Sequence, residues 1–187
     1  MLTESATPDM QALFASGSFA PGPTRKLDTK PGMTSGIWQM RPESRGHVLA
    51  RSKDPRVQPS INPNYLAEDR DQRSMVAGLR LIRDWFNQPS PTRHVVAETV
   101  HGPDVQSDDE ILDYIRNSGA TVYHPIGTFK RGTEYIAVVD PHLKMLGLPG
   151  IRVIAASVMP RMVSANTNAA TLMIAEKGAD MVKASIQ

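Results

Sequence analysis

Gly36 to Ser52 reads GIWQMRPESRGHVLARS, and Asp69 to Phe86 reads DRDQRSMVAGLRLIRDWF. The first stretch holds two extended runs, GIWQM and HVLARS, on either side of the turn-like Arg41-Pro42-Glu43-Ser44-Arg45-Gly46. It predicts a hairpin with a long loop. The second stretch places Met75, Leu79, Ile82 and Phe86 at 4-3-4 spacing, with Val76 and Trp85 widening the stripe. Arg73, Arg80, Arg83 and Asp84 fall on the other side, so it predicts an amphipathic helix with those four facing out. Extended runs followed by a long helix, without strand–helix–strand alternation, point to α+β: a mixed or antiparallel sheet with flanking helices.

Working outward, Asp54 to Asn64 carries Pro55, Pro59 and Pro63, which predicts irregular or edge-strand backbone. Residues 1–35 are rich in Ser, Thr, Pro and Gly, punctuated by Pro21, Gly22, Pro23, Pro31 and Gly32. They read as loop, with at most a short helix near Met10 to Phe14. Downstream, Ser107-x-x-Glu110 is a capping box that opens a helix burying Ile111, Leu112 and Ile115 and stopping at Gly119. Short extended pieces are expected near Thr121–Tyr123, Ile136–Val139 and Arg152–Ile154. A last helix is expected from about Thr167 to Lys183, its Ala and Met residues buried on nearly every face. The chain thus divides into a loop-rich segment (1–35), a central domain (36–151) and a C-terminal strand and helix (152–187).

Composition removes several classes of function. The 187 residues carry Lys+Arg 21 against Asp+Glu 19, a net charge of +2, too weak a field for a dedicated nucleic-acid or membrane-surface binder. Aromatic residues make up only 5%, which disfavours base-stacking platforms. With Cys 0 there is no disulfide, no thiolate nucleophile and no cysteine-ligated zinc or iron–sulfur centre. Met1 to Ser5 lacks a basic and then apolar leader, and no apolar run approaches bilayer length. The expectation is a cytoplasmic protein without a membrane segment.

Common motifs fail one by one. No two of the 13 glycines are two residues apart, so the chain holds no G-x-G-x-x-G. Gly127 and Gly132 have P-loop spacing but are followed by Thr133, and Gly32 and Gly36 bracket Thr34 where a nucleophile elbow needs serine. The histidines at 47, 94, 101, 124 and 142 include no i, i+4 pair, so no metal site is expected. Asp108-Asp109-Glu110 is explained by the helix dipole of a first turn, and the basic group Arg41, Arg45, Arg51, Lys53 and Arg56 by a solvated face.

Two stretches survive this elimination. One is Val122-Tyr123-His124-Pro125-Ile126-Gly127-Thr128, followed by Val139-Asp140-Pro141. The other runs from Arg152 through Ala155-Ala156-Ser157 and Ser164-Ala165-Asn166-Thr167-Asn168 into the Ala-rich helix. Pro125 drives His124 toward extended backbone, and an imidazole fixed on a strand end suits a general base. Ser164, Asn166 and Thr167 lie where they could cap the last helix, whose free N–H groups could receive an electron-rich ligand edge. Taken alone, these features more often mean a structural histidine and an ordinary helix cap than a catalytic site.

The order of these motifs resembles the C-terminal half of the glucose–methanol–choline oxidoreductases, flavin-dependent alcohol oxidases and dehydrogenases. Met40 to Gly46 is similar to the family's RP-x-SRG segment, and Ser52-Lys53-Asp54-Pro55 with Pro63-Asn64-Tyr65-Leu66 to its DP…P-x-YL segment. The similarity spans roughly Gly32 to Ala184. It implies a substrate-binding domain with a C-terminal helix that returns to the FAD domain. It also implies FAD as cofactor, a small-molecule alcohol as substrate, and no nucleic-acid partner. His124 matches the first catalytic position and Asn166 the second, where members carry His or Asn. The pair would take the hydroxyl proton and hold the alkoxide while hydride passes to flavin N5. Ala156, Ser157, Asn166 and Thr167 would meet the flavin.

The family's N-terminal half, which binds the ADP end of FAD, has no counterpart here, so a companion FAD-binding half is expected and the isolated chain should be inactive. Ala155 stands where many members have Asp, and Lys130-Arg131-Gly132 where many have a methionine. Both departures favour the alternative of a non-catalytic binding module, or relic, retaining the fold.

Overall fold

The computed structural model describes residues 8–19 and 26–186. The loop expected at Pro21, Gly22 and Pro23 lies outside the described residues. The fold is α+β, with two small antiparallel sheets and four helices among the described residues. The chain separates into two discontinuous units, Met1–Gln39 with Leu66–Ala120, and Met40–Tyr65 with Thr121–Gln187.

In the first unit β1 (Met10–Ala15) pairs antiparallel with β2 (Thr34–Gln39), in a register running from Met10↔Gln39 to Ala15↔Thr34. The expected loop or short helix at 10–14 is therefore a strand. Met, Gln, Ala and Leu are good helix formers, and pairing with a distant segment overrides that local preference.

Helix α1 (Asp69–Phe86) has the boundaries its periodicity predicts. It packs closely on the sheet through Gly78, where a Cβ would stand 2.7 Å from Met10 Cε and 3.3 Å from Ile37 Cδ1. Gln39 Nε2 donates to Asp71 Oδ1 at 3.1 Å, tying the end of β2 to the first turn of α1. After a short turn of helix, α2 (Pro89–Thr92), comes α3 (Asp108–Ser118). Its capping box forms as expected: Glu110 N–H donates to Ser107 Oγ, and the Glu110 carboxylate accepts from Ser107 N–H. Val76, Leu79 and Ile111 form the core, flanked by Val105, Leu112, Tyr114 and Ile115.

Arg83 departs from its expected solvent-facing role. Its Nη2 and Nε donate to Glu98 at 2.8 and 3.1 Å, its Nη1 to the Val105 carbonyl at 2.7 Å, and its Nη2 also to the Gly102 carbonyl at 3.2 Å. Glu98 also pairs with His101, whose ring meets Tyr114 edge-on with centroids 4.6 Å apart.

In the second unit β3 (His47–Leu49) pairs with β4 (Ser60–Asn62) over three residues. The hairpin expected between GIWQM and HVLARS is absent, because each run has another partner. Pro59 and Pro63 flank β4 and limit it to the three residues that keep their N–H donors.

Val139, Leu143 and Val158 are the buried centre, joined by Val153, Ile154, Ile174 and Met181. The extended pieces expected at 121–123, 136–139 and 152–154 are not strands. Isolated bridges remain, Arg131↔Val139, Val139↔Met145 and Lys144↔Arg152. Asp140 organises this segment, its Oδ1 accepting from the N–H groups of His142 and Lys144 at 2.8 Å each. Helix α4 (Asn168–Ala184) buries one stripe rather than every face. Ile174, Gly178 and Met181 face the core, while Leu172 and Met173 are 60% and 61% exposed. No helix among the described residues is long and apolar enough to cross a membrane.

Candidate active site

His124 follows Tyr123, whose φ of +61° is left-handed, and precedes Pro125. A left-handed non-glycine residue is held by its surroundings, not by its own preference. The imidazole is thus fixed by an irregular turn instead of the strand end expected from sequence. Gly127, with φ +83°, completes that turn where a residue bearing a Cβ would be strained.

Beyond it the segment is tied to the short 3-10 turn Ala156–Val158. Phe129 N–H donates to the Ser157 carbonyl, and Arg131 N–H to the Val158 carbonyl, each at 3.0 Å. These bonds bring the histidine-bearing stretch and Ala156-Ser157 into one framework.

The third piece is the start of α4. Thr167 is buried, and its Oγ1 lies 3.1 Å from His124 Nδ1. Its carbonyl accepts from both the N–H and the Oγ1 of Thr171, at 2.9 and 2.8 Å. Asn166, exposed, is the residue immediately before it. Residues 124 and 167 are 43 positions apart in the chain, and the fold joins them directly. Upstream, the Arg41 guanidinium donates through Nε to Ser164 Oγ at 3.0 Å, which anchors the approach to Asn166 from a segment 123 residues away.

The N-terminus of α4 is not capped as the sequence led us to expect. Thr167 occupies the cap position with φ −73° and ψ −12°, helical rather than extended, and makes no side-chain cap bond. Its hydroxyl goes to the imidazole, so no N-cap side chain occupies the opening N–H groups of α4. The 3-10 turn likewise has no side-chain cap, and Ala156 and Ser157 carry side chains small enough for close approach to their backbone. N–H groups at a helix start, beside an imidazole–hydroxyl pair, are suited to receive an electron-rich ligand edge.

His124, Ala156, Ser157, Asn166 and Thr167 all fall in the second unit. The bond between Thr167 and His124 is the element that sequence reasoning missed. Nothing local marks it, since each residue reads separately as an ordinary cap or an ordinary histidine. Among the described residues no group of three or more His, Asp or Glu is placed to hold a metal ion. Two open concavities, one against Phe14 and Trp85 and one against Arg73 and Arg80, are lined by first-unit residues only and include neither His124 nor Asn166.

Comparison with known proteins gives concordant results. The family model described as GMC oxidoreductase matches residues 42–175. An alcohol dehydrogenase (acceptor) of Pseudomonas putida is 44% identical over 158 residues, covering 84% of this chain and 29% of that protein. An oxygen-dependent choline dehydrogenase of Klebsiella pneumoniae is 39% identical, covering 81% of this chain and 27% of its own length. Among solved structures, a formate oxidase of Aspergillus oryzae, studied for the effect of a mutation on its FAD modification, aligns with a TM-score of 0.84 and 29% identity. That alignment covers 96% of this chain and 32% of the oxidase. The chain therefore spans about three-tenths of the length of these relatives.

Proposed function

Because the chain belongs to the glucose–methanol–choline oxidoreductase family, we propose that it is the catalytic and substrate-binding portion of an FAD-dependent alcohol oxidoreductase. The observation that carries this reading is the contact between Thr167 and His124, which sets the imidazole within one residue of Asn166. His124 serves as the general base that accepts the hydroxyl proton of the alcohol. An imidazole with one bare nitrogen can take a proton there and later give it back. Asn166 orients the alkoxide oxygen through its carboxamide N–H, a donor that does not titrate. When bound, FAD supplies the hydride acceptor at N5 for the carbinol hydrogen. The backbone of Ala156 and Ser157, together with Asn166 and Thr167 at the entry to α4, would hold it.

The dinucleotide-binding part of the cofactor site falls to a companion FAD-binding half, in keeping with the threefold greater length of the relatives. Combining that half, FAD and this chain under anaerobic conditions, then adding choline or simple primary alcohols, should bleach the flavin's visible absorption. Persistent colour with every alcohol, despite stable assembly and bound FAD, would contradict the enzymatic reading and favour a binding module. Ala155 and Arg131 already lean toward that module.

A further inference from the structure

We propose that Thr167 is a positioning residue that keeps the proton of neutral His124 on Nδ1, so that Nε2 is presented bare. The inference rests on the assignment of His124 as the base. Of the two ring nitrogens, Nδ1 is turned to Thr167 Oγ1 at 3.1 Å, which leaves Nε2 to face a substrate. An imidazole can receive a proton only at an unprotonated nitrogen, and its tautomer is set by the hydrogen bond its other nitrogen makes. Nδ1–H donating to the threonine hydroxyl gives that arrangement.

Three further features point the same way. Thr167 is 7% exposed, so water competes poorly for its hydroxyl. It sits at the N-cap of a 17-residue helix yet makes no cap bond, and turns its hydroxyl to the ring. Its backbone is pinned from below by both donors of Thr171, so Oγ1 cannot drift with the helix end. The side chain is thus aimed at the imidazole at the expense of local helix stability.

The test reads the proton itself. In the full chain labelled with 15N-histidine, at a pH where the imidazole is neutral, His124 should give the signature of a protonated Nδ1 and an unprotonated Nε2. The His124→Ala spectrum assigns the signals. Thr167→Val, which keeps shape and removes the hydroxyl, should move His124 toward the Nε2–H tautomer. Thr167→Ser should retain the native pattern. Helix content should be nearly unchanged in both variants, because no cap bond is lost.

In the assembled FAD-loaded protein, Thr167→Val should slow anaerobic flavin reduction by roughly ten- to a hundredfold, and Thr167→Ser should restore most of it. An Nε2–H tautomer in the native chain would overturn the proposal, as would a Thr167→Val chain with the native tautomer. A Thr167→Ser variant that behaves like Thr167→Val would also overturn it, since the methyl group and not the hydroxyl would then be responsible. If His124→Ala reduces flavin at the native rate, the catalytic reading falls while the tautomer result stands. If His124→Ala is impaired but the tautomer ignores Thr167, only this inference falls.

Discussion

His101 carries a pH-dependent signature that its neighbours explain. Burial pushes the His101 imidazole below its ordinary value near 6.5, the pull of the Glu98 carboxylate opposes this, and the Arg83 charge adds to the lowering. The unfolded chain therefore binds that proton more readily than the folded one. Stability from this residue is complete above about pH 6.5 and is lost as pH falls toward the depressed folded value. Urea unfolding followed from roughly pH 7 to pH 5 should show that decline, and His101→Gln should flatten it. Burial and the Glu98 charge also hold the Tyr114 hydroxyl above its ordinary range, so the phenol stays neutral across that window. Sequence marked Arg83 as solvated because helical spacing counts side chains by angle. It does not register a loop, here 98–105, folding back over the polar side.

Helices α1 and α3 were legible because their signals are local: apolar residues at 3.6-residue spacing, and a Ser and a Glu three apart. Ser107→Ala removes the oxygen that accepts the Glu110 N–H. It should cost about 1 kcal/mol, a fall of about 2–4 °C in unfolding midpoint. The strands were not legible in the same way. Met10 faces Gln39 and His47 faces Asn62, pairings that no window of neighbouring residues encodes.

For α4 the boundaries were readable and the burial was not. Ala and Met spread around the helix draw attention away from the exposed polar stripe of Glu176, Asp180 and Lys183, which lies opposite the core-facing Ile174, Gly178 and Met181. Gly178 offers a test of that packing. Alanine in a helix interior ordinarily stabilises relative to glycine by about 1 kcal/mol, but here its Cβ would lie 2.6 Å from Ile154 Cγ2. Gly178→Ala should therefore destabilise in chemical denaturation, and a gain in stability would show that α4 does not approach Ile154 so closely.

At the scale of the whole molecule, sequence motifs offered candidate site residues and no geometry to join them. His124 and Asn166 could be named from the order of short motifs. The hydrogen bond between Thr167 and His124 became visible only once the start of α4 was folded against the His124 segment. The chain covers less than a third of its relatives, and α4 turns Leu172 and Met173 outward. Docking of an FAD-binding half over that face predicts that peroxide oxidation of Met173, read by mass spectrometry, slows on assembly; an unchanged rate places the docking surface elsewhere.

The proton-accepting imidazole is the centre of the account, and rapid mixing of the assembled, FAD-loaded protein with an alcohol in the absence of oxygen interrogates it alone. His124→Ala should retain bound FAD yet lower the rate of flavin reduction by a factor on the order of a hundred or more. Reduction at the native rate by that variant would contradict the account.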